Sequence, residues 1–119
     1  TNLKYICGAF FGIIINRKKK ILQTSYHHYE DFDFSVQHFI RDGGVVRFNN
    51  LCIKTKYFGE GGINESYGGL DNRKKDMKVA GLRFINQYPK YARLIEKKYG
   101  WDIRLKHSAK SPKEPNLLL

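Results

Sequence analysis

A small α/β domain of the α+β kind, with a mixed sheet, a central helix and two basic C-terminal helices, is what this 119-residue sequence predicts. Three observations lead there. Aromatic and β-branched side chains crowd residues 3–16 and 45–58, as they do on a pleated surface. Apolar residues recur at helical spacing from Phe32 and again from Met77. Hydrophobic residues make up 41% of the chain and charged residues 28%, which suits one domain with a modest core and excludes a fibrous repeat or a multidomain machine.

Residues 3–16 (LKYICGAFFGIIIN) read as a strand, bent at Gly8 or Gly12, that stops at the charged run from Arg17 to Lys20. Glycines inside a strand imply a bulge or a ligand lying close to the backbone. The longest apolar run, Ala9 to Ile15, falls well short of the ~20 residues that span a bilayer, so no membrane span is expected. Cys7 and Cys52 lie on separate apolar segments without metal-type spacing. Buried thiols in a reducing, cytoplasmic compartment are therefore expected.

From Tyr29 the period changes. Phe32, Val36, Phe39 and Ile40 fall on one side, while Asp33, Gln37 and Arg41 fall elsewhere, which predicts a helix over residues 30–42. Glu30, Asp31 and Asp33 in its first turn favour the helix dipole, and Gly43-Gly44 ends it. Val45 to Phe48 and Leu51 to Phe58 predict two short strands about the Asn49-Asn50 turn. Residues 59–71 hold five of the eleven glycines and read as a functional loop. Met77, Ala80, Phe84 and Tyr88 predict a helix over 73–87. Tyr91, Leu94 or Ile95, and Lys98 or Tyr99 predict a second over 89–99, started by Pro89 and stopped by Gly100. Residues 101–106 suggest a last strand. The domain is expected to span 1–106, and residues 107–119, with two prolines and no pattern, an extended tail.

The formal charge is +11, and it is unevenly placed. Residues 1–71 hold nine basic and seven acidic side chains, whereas residues 72–119 hold thirteen and four. Such one-sided charge points to a polyanionic partner, with nucleic acid the first candidate. On the second C-terminal helix Lys90, Arg93 and Lys97 would share a face, and Lys74 would add to the same phosphate-tracking surface.

The densest chemistry lies in Tyr26-His27-His28-Tyr29-Glu30-Asp31-Phe32-Asp33. Carboxylates at a helix start stabilise it through the dipole alone, yet three carboxylates and two imidazoles also suit a proton-accepting or metal site. His28 is a candidate metal ligand, although adjacent histidines lack the spacing of a helical pair.

The order GAFFGIIINRKK, HHYEDFDFSVQHFIRDGG, VVRFNN and then a strand entering a glycine-rich stretch resembles the acceptor half of a GT-A-type glycosyltransferase. Within that superfamily it is most similar to the TET-associated glycosyltransferases of phages and kinetoplastids, which glycosylate hydroxymethylated bases in DNA. The resemblance covers residues 5–70. It implies that Glu30 or Asp31 takes a proton from an acceptor hydroxyl, with Asp33 bracing the helix. It also implies that Gly8, Ala9 and Phe10 border the acceptor, and that Gly61, Gly62 and Arg73 meet the diphosphate of a UDP-sugar donor aided by Mn or Mg. The family's nucleotide-binding half, which ends in Asp-x-Asp, has no counterpart in these residues, so a fragment of a longer enzyme or an acceptor-binding relative is expected.

Three functions follow as expectations: nucleotide-sugar-dependent transfer, acting on modified bases in DNA; a non-catalytic basic nucleic-acid-binding module; and a small metal-dependent nuclease using His27, His28, Asp31 and Asp33.

Overall fold

The computed structural model describes residues 2–7, 10–13, 15, 17–51, 53–54 and 66–113. Among them the regular elements run α1 (Glu30–Asp42), α2 (Leu70–Gln87), β1 (Ala92–Lys97) and β2 (Gly100–Leu105). The coarse expectation of a small α/β chain holds, and α1 has the bounds its periodicity predicts. It starts at Tyr29, whose φ of 67° is a left-handed conformation uncommon for a bulky residue. Burial of the Tyr29 ring and a hydrogen bond from its hydroxyl to the Trp101 carbonyl, 2.7 Å, hold it there. Gly43, also left-handed, returns its N–H to the Phe39 carbonyl and ends the helix.

Helix α2 begins three residues earlier than its apolar stripe suggests. Phe84 and Tyr88 on that stripe are buried, and Met77 and Ala80 are half-buried. The helix expected over residues 89–99 is instead the first strand of an antiparallel hairpin. Ala92 pairs with Leu105, Leu94 with Ile103 and Lys97 with Gly100, so only Lys98 and Tyr99 form the loop. Apolar spacing of three and four is ambiguous over so few residues, and Ala92 and Leu94 also fit the start of a period of two. Gly100, at φ 130°, permits the return, in a region side-chain-bearing residues rarely enter. The strand expected over residues 101–106 is β2.

The hairpin packs one face on α2. Ala92, Ile103 and Leu105 are buried there, and Leu94 packs so close to Gly81 that helix and strand nearly touch. Leu3, Tyr26, Val36 and Phe39 belong to the same cluster, with Tyr26 against Phe84 and Phe39 against Tyr91. Burying this set supplies the main stabilisation, about 1.5–3 kcal/mol for each large side chain.

Other expectations are corrected. No strand occurs in the described parts of residues 3–16 or 45–58; Phe10 is 78% exposed and Cys7 is exposed rather than buried. The N-terminal segment is held on α1 by side-chain bonds rather than by a ladder. Ile6 N–H donates to Ser35 Oγ at 2.7 Å, and Ser35 donates to the Asp31 carbonyl. Asp33, placed off the apolar side of α1 by its spacing, is 2% exposed. Residues 107–113, the described part of the expected tail, form no helix or strand and touch the body at two points: His107 Nδ1 donates to the Leu3 carbonyl at 2.6 Å and Ser111 Oγ to the Phe39 carbonyl at 2.9 Å. Cys52 and most of the loop expected at 59–71 lie outside the described residues. No helix among those described is long and apolar enough to cross a membrane.

Candidate functional site

Helix α1 sets the acidic pair at its mouth in two environments. Glu30 is exposed. Asp31 is half-buried, with Oδ2 accepting the Tyr5 hydroxyl and Oδ1 accepting the Phe32 N–H at 2.9 Å. Burial raises the Asp31 carboxyl above the ordinary carboxylate range; the Tyr5 bond opposes this and the Glu30 charge adds to it. Burial first, and then the Asp31 bond and charge, raise the Tyr5 phenol as well. Tyr5 also stacks on Phe32, their ring centroids 4.6 Å apart. Its role is invisible in the sequence because 26 residues separate it from Asp31.

Asp33 braces the helix, as expected, but from inside the core. Its Oδ1 accepts the Tyr88 hydroxyl and its Oδ2 accepts Gln37 Nε2, both at 2.7 Å. Gln87 extends the network by donating to Tyr88 and accepting from Tyr26.

His28 and Arg73, assigned to metal and donor respectively, come together where α1 and α2 begin. The His28 ring stacks on Tyr67, with centroids 4.9 Å apart, and its Nε2 is buried without a hydrogen-bond partner. Burial, with the nearby Arg73 charge, lowers its pKa; Asp76 and Glu30 oppose the change. No three His, Cys, Asp or Glu side chains among the described residues are grouped to hold a metal ion, so His28 lacks companions for Mn or Mg there. Gly8, Ala9, Gly61 and Gly62 lie outside the described residues, and Phe10 projects outward.

The basic residues separate into two sets. Lys74, half-buried on α2, packs its stem beside Gly100 at the hairpin turn. Lys90 lies exposed in the turn before β1. Arg93 and Lys97 remain on one face, because strand residues four apart point the same way. The register adds a residue that the helical reading leaves out: Arg104 lies directly across from Arg93. Both arginines are exposed, and neither makes a hydrogen bond or ion pair among the described residues. Lys97 is bound to Asp102 across the same face. Alternation in Trp101-Asp102-Ile103-Arg104-Leu105 is the signal that separates Arg104 from the buried Ile103 and Leu105.

A concavity of about 470 Å³ opens elsewhere, lined by Lys4, Val45, Arg47 and Asn49; neither Glu30 nor Asp31 borders it. No family model matches this chain, and neither the curated proteins nor the solved structures give a match.

Proposed function

We propose that the chain is a basic nucleic-acid-binding module whose contact surface is the outer face of the β1–β2 hairpin. The observation that carries this is the Arg93–Arg104 pair. Like charges directly opposite on neighbouring strands destabilise a hairpin, and a polyanion laid across them turns that repulsion into attraction. Lys90 and Lys106 stand at the base of the same hairpin. From Tyr88 to Lys106 the sequence holds six basic residues against two acidic ones. An antiparallel ribbon of this width also fits the major groove of duplex DNA.

Fluorescence anisotropy with a labelled DNA duplex over a salt series tests this reading. Affinity falls steeply with salt, and Arg93→Gln with Arg104→Gln lowers the logarithmic slope by about 0.9 for each phosphate no longer neutralised. A flat salt dependence, or an unchanged slope in the double variant, refutes it.

Asp31 favours a second reading, sugar transfer to a hydroxyl on DNA. A half-buried carboxylate with a raised pKa, held by Tyr5, suits a general base better than the solvated Glu30 does. Turnover of a UDP-sugar with hydroxymethylated DNA would be lost in Asp31→Asn, whose amide oxygen can still accept from Tyr5. Retained turnover in that variant ends this reading.

A further inference from the structure

The concavity lined by Lys4, Val45, Arg47 and Asn49 takes no part in the hairpin surface and carries a chemistry of its own. Residues 45, 47 and 49 line it, Val45 half-buried and Arg47 and Asn49 exposed at its rim. Its mouth therefore presents an apolar side chain, a guanidinium and an amide in a row, with the Lys4 ammonium contributed by the N-terminal segment.

The chain is anchored beside both supporting segments. Fully buried Leu3, whose carbonyl accepts from His107, anchors Lys4. Gly43, closed onto the Phe39 carbonyl, anchors the chain leaving α1. Among the described residues Lys4 and Arg47 make no ion pair or hydrogen bond, and no carboxylate lines the concavity. Two exposed cations at the rim, with no counter-charge among the described residues, raise the positive potential over this open hollow.

We infer that this concavity binds a nucleoside phosphate: Lys4 and Arg47 hold the phosphate, Asn49 hydrogen-bonds the edge of the base, and Val45 packs against its ring. The four chemistries match the four parts of the ligand. Guanidinium and ammonium pair with phosphate oxygens, an amide offers both donor and acceptor to a base edge, and a small aliphatic side chain covers an aromatic face. Free nucleotides and nucleotides within a single strand share this chemistry.

Calorimetry of the full chain with AMP, inorganic phosphate and a single-stranded oligothymidylate tests the inference. Lys4→Gln and Arg47→Gln each weaken AMP binding roughly tenfold, as removal of one charge-assisted hydrogen bond does. Asn49→Ala weakens AMP but leaves phosphate unchanged, which a mere basic patch would not do. Equal loss of oligothymidylate affinity in Arg47→Gln marks the strand as the source, and loss of AMP alone marks the free nucleotide; either supports the site. No AMP binding at millimolar concentration, or AMP binding indifferent to Lys4 and Arg47, overturns it. Arg93→Gln with Arg104→Gln leaves AMP binding intact, so failure here is separable from failure of the hairpin surface.

Discussion

The Tyr88 hydroxyl donates to the Asp33 carboxylate over 2.7 Å and fastens the end of α2 to the first turn of α1. With Asp33 2% exposed, this bond and the one from Gln37 replace the water a carboxylate would otherwise keep. Burial, and then the Asp33 bond and charge, raise the Tyr88 phenol well above its ordinary range. Tyr88→Phe keeps the packing and removes the donor, so urea denaturation should show a loss of about 1–3 kcal/mol. Tyr26→Phe, which only frees Gln87, should cost less, about 0.5–1.5 kcal/mol. Equal stability of Tyr88→Phe and the parent chain would mean that Asp33 does not depend on this donor.

Gly81 sits where α2 meets β1. A Cβ there would fall on Leu94 Cδ1, well inside contact distance, although alanine is the better helix former. Gly81→Ala should therefore destabilise, by about 1–3 kcal/mol as for other overpacked sites. Adding Leu94→Ala should recover part of that loss in the same melting experiment. Stabilisation by Gly81→Ala alone would show that Leu94 moves aside freely.

The Arg93–Arg104 pair makes stability and binding respond in opposite directions. Arg104→Thr removes the cross-strand repulsion and places a good strand former on β2, so the free chain should gain about 0.2–1 kcal/mol. The same variant should bind duplex DNA more weakly with a shallower salt slope. A variant both less stable and equally tight in binding would contradict the role given to this pair.

His28 makes stability pH-dependent near neutrality. Burial, then Arg73, lowers its folded-state pKa below the unfolded value of about 6.5, so the unfolded chain binds the proton first. Stability contributed by the neutral ring is complete above about pH 6.5 and is lost as pH falls toward the folded-state value. His28→Phe keeps a ring on Tyr67 and should flatten this part of the profile in pH-resolved denaturation. An unchanged profile would place the titration elsewhere.

Asp42 governs a more acidic step. Its burial would raise the carboxyl, but hydrogen bonds from Arg41, Lys19 and His38 outweigh that and hold it far below the ordinary aspartate value. Its contribution is present above the unfolded value of about 3.9 and disappears as pH falls through the lower folded one. Asp42→Asn should remove acid sensitivity below about pH 4 while leaving the His28 step in place. A parent-like acid limb in that variant would refute the assignment.

The helices are legible in the sequence because their signals are local. The stripe through Val36 and Phe39 and the stop at Gly43 define α1 without reference to the rest of the chain. Residues 89–99 mislead because short apolar runs satisfy both periods, and the pairing that decides between them lies across the turn in β2. The apolar segments about Phe10 and Phe48 have strand composition but find no ladder among the described residues, and propensity alone does not supply a neighbour. At the candidate sites Glu30, Asp31, Arg93 and Lys97 are readable from the sequence. Tyr5 on Asp31, Arg104 opposite Arg93, and Lys4 beside Arg47 are not, since each joins residues far apart in the chain.

The bond between His107 and Leu3 spans 104 positions, and Leu3 is completely enclosed. On the ribosome this bond can form only once residue 107 has left the exit tunnel. Helix α1 can form early and take up the N-terminal segment through Tyr5 and Ile6, but the Leu3 carbonyl must await the turn beyond the final strand. Until then the Leu3 carbonyl lacks this partner, and a pause in translation upstream of residue 107 would prolong that interval.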